Sequence, residues 1–334
     1  MDNVTHSLIG LLLARAGLNR MAPRATALAV IAANLPDVDI VTGVKGSLCY
    51  LANHRGFTHA LFWAPLVALA ALPIWWLLAR KEPLGKRQWV GAYLVSLIAI
   101  LSHLGLDFLN VYGIRLYLPF SAAWPRADLV NIVDVWIWTI LLVCTLGPML
   151  AKLVYSEIGA RGATGRGMAI TGLILIGAYL TGRAELHARA VETLQSRLYE
   201  KEQPRLTAAL PSAANPWQWT GLVETNSAWH VVPINLVLRD FDPDAGRTFY
   251  KPDTTRFRAA ILGTETARVF LDFAQTPLWR ITPVATPEGA SLVKIYDLRF
   301  GLPGQGAFSC DFLLDARGKV LRERFTFGNM KGSE

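Results

Sequence analysis

The sequence predicts an α-helical integral membrane domain of about six helices, the first two short, followed by a soluble β-rich C-terminal domain. Three observations carry this reading. Of 334 residues, 52% are hydrophobic and 17% charged, and mean hydropathy is +0.32; soluble chains carry about 25% charged residues. The apolar residues collect in long runs within residues 1–182. From Trp217 onward the runs give way to alternation, as in VVPINLVLRD and SLVKIYDLRF. This composition excludes a disordered chain, a basic nucleic-acid-binding domain and an ordinary cytosolic enzyme.

A span needs about 20 apolar residues. Phe57–Ala79 is the clearest, followed by Gln88–Asn110, Asp134–Val154 and the shorter Gly167–Gly182. His6–Leu18 and Ala25–Val41 precede them, as short tilted spans or a re-entrant hairpin. The start Met-Asp-Asn, with Arg15, Arg20 and Arg24 after the apolar run, is the reverse of a signal peptide, which begins with positive charge. After the last span, residues 183–201 form an amphipathic helix with Ala184, His187, Val191, Leu194 and Leu198 on one face. Residues 202–216 read as a Pro-containing linker, so 183–216 connects the membrane domain to 217–334. That last region reads as six to eight antiparallel strands. Cys49, Cys144 and Cys310 share no close spacing; this excludes a zinc ribbon, and a Cys49–Cys310 disulfide stays open.

The net charge of +8 resolves into clusters beside the spans. Basic short loops mark the cytoplasmic side. Residues 80–87 hold four basic residues and one acid, so they should lie inside, as should Arg20 with Arg24 and the Lys152–Arg166 connection. Six crossings then put the N-terminus, residues 42–56, residues 111–133 and the C-terminal domain outside. The reading is a multi-pass protein of a bacterial inner membrane with an extracytoplasmic β-rich domain.

Ionisable groups in spans are expensive and usually functional. Residues 1–134 contain seven acids, Asp2, Asp37, Asp39, Glu82, Asp107, Asp128 and Asp134, and four of the six histidines, His6, His54, His59 and His103. Glu82 apart, nearly all of the ten remaining residues map to the outer ends of the segments, on a topology derived from Lys and Arg alone. One shared site is the simpler account. His103 and Asp107 lie four apart on a helix and share a face; Asp2 and His6 repeat that spacing. Asn34-Leu35-Pro36-Asp37-Val38-Asp39 ends a helix and offers two carboxylates, and His54 and His59 flank the start of a span. Imidazole with carboxylate suits a divalent ion, zinc first, with manganese and iron also compatible. The number of donors admits two ions, the arrangement that clamps both oxygens of a phosphoester displacement. Each motif also has a structural reading: a hydrogen-bonded His–Asp pair, turn carboxylates, Thr5 and Thr58 as caps, Arg55 reaching to headgroups, and Trp124, Trp136 and Trp138 as interfacial anchors.

MDNVTHSLIG, NLPDVDIV, HRGFTHALF and SHLGLDFLNVYG, in this order, resemble the membrane-bound metal-dependent hydrolases typified by a LexA-regulated inner-membrane protein of enteric bacteria. The likeness covers about residues 1–150 and, more loosely, Asn215–Trp219. It implies His6, Asp37, Asp39, His54, His59, His103 and Asp107 as metal ligands, with Asp134 at the edge of the pattern and Arg55 beside them. A likeness in ligand types to zinc-dependent phospholipase C points to phosphoesters.

The expected activity is therefore metal-dependent hydrolysis of an ester or phosphoester, of a membrane lipid or a lipid-linked substrate. Asp39 or Asp107 would serve as base and Arg55 as anion clamp. Two rival classes remain. A cation or proton transporter would need polar groups at the midplane, where the cytoplasmic halves of the spans are apolar. A non-catalytic scaffold would use the metal only to tie short helices together.

Overall fold

The computed structural model describes residues 1–157, 165–238, 241–304 and 308–327. They divide into two compact units. One holds Met1–Val38, Arg55–Ala188 and Pro211–Trp217; the other holds Asp39–His54, Arg189–Leu210 and the chain from Gln218.

The first unit is helical. Asp2 caps α1 (Asn3–Ala16) by accepting the Val4 and Thr5 N–H groups at 3.0 Å each, as a helix N-terminus requires. Fourteen residues rise about 21 Å, short of about 30 Å of hydrocarbon, so α1 is no independent span. α2 (Ala25–Asn34) packs against it and continues as a 3₁₀ stretch, Leu35–Lys45. α3 (Ser47–Asn53) belongs to the second unit.

The run Phe57–Ala79, expected as one span, is broken. A 3₁₀ turn at Phe57–His59 leads to α4 (Ala64–Ala70) and α5 (Leu72–Ala79), each with a proline in its first turn. Pro65 and Pro73 offer no N–H to a preceding helical turn, and their rings crowd it. α6 (Lys86–Leu109), α7 (Val135–Glu157) and α8 (Arg166–Gln195) come next. Among the described residues four helical stretches are long and apolar enough to cross a membrane, or five with the broken one, in place of the expected six. Of the Lys152–Arg166 connection, residues 158–164 lie outside the described residues.

Packing in this unit is inverted relative to a soluble protein. Ala29, Ala32, Ala68, Ala92 and Ala99 are buried, while Leu77, Val143 and Ile174 are 56%, 56% and 65% exposed. Small residues let helix backbones approach, and large apolar ones suit lipid. Gly91 shows the requirement: a Cβ there would stand 2.1 Å from the Met21 carbonyl oxygen.

α8 does not stop at Gly182, where the sequence suggests a span giving way to a separate amphipathic helix. It is one 30-residue helix, and Ala190 and Leu194 on its last turns are buried. Arg183 is buried too, donating from Nε to the Leu129 carbonyl at 2.9 Å and from a terminal nitrogen to that of Pro216 at 2.5 Å.

The second unit contains two four-stranded sheets in sequential order. The first comprises β1 (Leu206–Pro211), β2 (Gln218–Glu224), β3 (Ala228–Asn235) and β4 (Arg247–Tyr250). The second comprises β5 (Pro277–Pro283), β6 (Ser291–Asp297), β7 (Phe308–Leu314) and β8 (Val320–Phe327). Alternation in β6 buries Ser291, Val293, Ile295 and Asp297 on one face, the period-two signature of a strand. β1 occupies part of the expected linker. Between the sheets in sequence come two helices the alternation did not suggest, α9 (Thr255–Leu262) and α10 (Glu265–Phe273). Thr264 caps α10 by accepting the Ala267 N–H, and Phe270 and Phe273 pack on Phe308. α3, expected within an outer loop of the membrane domain, packs here against α10 and β8, with Tyr50 edge-on to Phe327. All three cysteines are free thiols, so the Cys49–Cys310 disulfide does not form.

Candidate metal centre

In the first unit, chain ends from several elements meet. Asp37 lies just beyond the last turn of α2, His59 closes the turn before α4, and His103 with Asp107 lies one helical turn apart near the end of α6. The proline at 36 and the Thr58-His59 turn take the chain out of α-helix where these side chains must converge. His59, His103 and Asp107 have no exposed side-chain surface, and Asp37 is 13% exposed.

Five of the six separations among the four donor atoms are those of a tetrahedral ligand set. His59 Nε2 and His103 Nε2 are 3.1 Å apart. Asp37 Oδ1 lies 3.4 Å from the former and 3.6 Å from the latter, and Asp107 Oδ2 lies 3.5 Å from both. A tetrahedral ion with ligand bonds near 2.05 Å has edges of about 3.3 Å. These four residues each present one donor within 4.8 Å of the others.

The imidazoles are oriented by their other nitrogens. His103 Nδ1 is 2.7 Å from the Ala33 carbonyl. That oxygen can only accept, so Nδ1 carries the proton and a neutral His103 turns a bare Nε2 lone pair into the cluster. His59 Nδ1 is 3.1 Å from Thr58 Oγ1. Such outer partners fix the tautomer and aim of a ligating histidine. Thr58, expected as a helix cap, has this role instead.

His6 stacks on His103 at 3.7 Å between ring centroids and sets Nε2 3.4 Å from Asp107 Oδ1. Among the described residues neither His6 ring nitrogen has a hydrogen-bond partner. Asp107 therefore has one oxygen toward the tetrahedron, while the other is ion-paired with the Met1 amino group and faces His6. Arg55 Nε lies 3.1 Å from Asp107 Oδ2. Its Nη1 reaches Asn110 Oδ1 at 3.2 Å and the Gly113 carbonyl at 3.4 Å, and its guanidinium lies over the Tyr112 ring. Gly113 has φ +80°, a left-handed conformation that glycine adopts without steric cost. The buried Asn110 also donates to Asp107 Oδ1 at 3.3 Å and accepts the Tyr112 N–H at 2.8 Å. Sequence reasoning passed over Asn110, although its place three residues after Asp107, at the helix end, carried the signal.

Asp39 and His54 make their own pair in the second unit, with Asp39 Oδ1 2.8 Å from His54 Nδ1; His54 also stacks on Tyr50. Asp134, placed at the edge of the ligand pattern, lies outside the cluster. Its Oδ1 accepts the Trp136 and Ile137 N–H groups at the start of α7, and its Oδ2 accepts the Tyr179 hydroxyl at 3.0 Å. A carboxylate one residue before a helix satisfies the exposed N–H groups there, and this is the physical reason it stands apart from the ligands. Asp2 is likewise a cap, and it also bonds Thr5 and Trp138. Asp128 pairs with Arg126.

Helices with lipid-compatible surfaces around a buried His/Asp cluster define a polytopic membrane protein with a candidate metal centre. The chain belongs to the YdjM inner membrane protein family, whose sequence model matches residues 1–189 and so takes in the whole cluster. It is also similar to YfhP of Bacillus subtilis (strain 168), described as an uncharacterized protein, with 27% identity over 329 residues, 92% of this chain and 89% of that one. No solved structure matches. Family and apolar helices together place the chain in the membrane.

Proposed function

We propose that the protein is a metal-dependent hydrolase of an ester or phosphoester, acting on a membrane lipid or lipid-linked substrate at the outer boundary of the inner membrane. The observation that supports it most is the near-tetrahedral set of Asp37, His59, His103 and Asp107, with His103 held in the ligating tautomer. A divalent ion, zinc first by donor chemistry, would supply Lewis acidity toward water and a phosphoryl oxygen.

The chain's own residues do the rest. Arg55 holds the Asp107 carboxylate in place and contributes positive charge where an anionic headgroup would bind. Asp39, two residues from Asp37 and hydrogen-bonded to His54, is the proposed base. Loops open to the outer face would admit headgroups from the lipid surface, and the β-rich domain would lie on that side.

The burial of three of the four donors favours a second reading, a structural metal with no open position. Purified protein assayed on phospholipid, lipid-linked phosphate and simple ester panels separates the two. For the hydrolase, Arg55→Ala should lower kcat/KM by at least about tenfold while the metal content holds. Metal-replete wild type inactive on every panel member, and equal to Arg55→Ala in thermal stability, assigns the structural role.

A further inference from the structure

The second unit contains a cavity of about 440 Å³ that the hydrolase reading leaves without a role. Its lining draws on both sheets: Glu224 and Trp229 from β2 and β3, Trp279 from β5, and Lys251, Thr254 and Arg258 from the chain that enters α9. The volume is within the range of small-ligand sites, which join apolar walls to a few converging polar groups.

Three features indicate what fits. Trp279, partly exposed beside the buried Trp229, supplies a broad π face, negative at the centre, against which the electropositive C–H edges of a sugar ring pack. Lys251 Nζ and Glu224 Oε1 lie 2.7 Å apart and are only 28% exposed. A held ammonium–carboxylate pair offers donors and acceptors side by side, the pairing that vicinal hydroxyls satisfy, since each hydroxyl both donates and accepts. Thr254 precedes α9 without capping it through its side chain, leaving another hydroxyl for the same purpose.

Arg258 adds the charge. Its guanidinium lies 5.8 Å from the Trp279 ring centroid, and among the described residues it has no acidic partner. A planar cation with five donors matches a carboxylate or phosphate bidentately. We propose that this cavity binds an acidic saccharide, with a sugar ring on Trp279 and the anionic substituent on Arg258. The saccharide could be free or the head of a glycolipid.

The test is calorimetry on the full chain in detergent, with a uronate-containing disaccharide, its uncharged methyl ester, inorganic phosphate and a micelle-dispersed glucuronosyl lipid. Saturable binding of the uronate is expected, at least about fivefold tighter than the ester. Arg258→Gln, at an exposed position, should erase that preference and keep ester binding. Trp279→Ala should weaken both at least about tenfold. Tighter binding of the glycolipid than of the disaccharide assigns the lipid source, and equal binding assigns the free sugar. No binding of any saccharide, equal affinity for uronate and ester, or displacement of the uronate by equimolar phosphate would overturn the proposal.

Discussion

Asp107 and Asp134 are both buried aspartates at helix ends, yet their surroundings give them different work. Asp107 faces three imidazoles, whose lone pairs suit a divalent cation, and is held by Arg55. Asp134 spends its oxygens on backbone N–H groups and Tyr179. His59→Ala should therefore abolish binding of the cluster's divalent ion, measured by elemental analysis of purified protein. Asp134→Ala should keep the ion and cost about 1–2 kcal/mol through the lost cap, read as a lower thermal midpoint. Loss of metal in Asp134→Ala would join it to the centre after all. In the second unit, burial pushes the His230 pKa below its ordinary value near 6.5. The folded state then binds fewer protons than the unfolded one, so the stability this neutral histidine allows is present above about pH 6.5 and falls as the pH drops toward the folded value. The urea midpoint should be lower at pH 5 than at pH 7, and His230→Phe should lessen that difference.

At the scale of elements, backbone contact decides more than side-chain pattern. α6 meets the connection after α1 so closely at Gly91 that a Cβ would strike the Met21 carbonyl. Gly91→Val should destabilise the helical unit by about 2 kcal/mol or more, seen as a lower thermal midpoint and less folded protein after detergent extraction. Unchanged stability would mean that α6 can move away without cost. The elements also show where pattern reading stops. The prolines in the first turns of α4 and α5 were visible in FTHALFWAPLVALAALPIWWLLA, but average hydropathy is blind to backbone breaks and reports one span. α10 was legible from Thr264 and the spacing of Ala267, Phe270 and Phe273, and was lost because neighbouring alternation suggested strands throughout.

For the whole molecule, orientation is the open physical quantity that charge can set. The four-to-one basic excess at residues 80–87 should hold that loop in the cytoplasm. The spans after it, at α6, α7 and α8, then carry the C-terminal domain to the outside. In a Cys49→Ser background, Ser227→Cys on an exposed turn should react with an impermeant thiol reagent in intact cells. Reaction only after lysis would reverse the orientation. Counting α1 and the broken stretch differently leaves this outcome unchanged, because it depends only on the three helices beyond residue 87.

The division into apolar helices and alternating strands was legible before folding, because hydropathy and its period are local properties of the chain. So were the residue types that could bind a metal. His59, His103, Asp37 and Asp107 stood out as polar groups at matching ends of apolar runs, where each is costly unless used. Which of these candidates share a point in space depended on long-range packing. Asp134 and Asp2 have the same chemistry and similar positions, but helix N-termini claim them. The Ala33 carbonyl became part of the centre through a contact that no spacing encodes. The same holds for α3, whose seven residues lie between Asp39 and His54 in the chain yet pack with α10 and β8. Packing partners far apart in sequence are chosen by complementary surfaces and satisfied hydrogen bonds, and these exist only once the chain has folded.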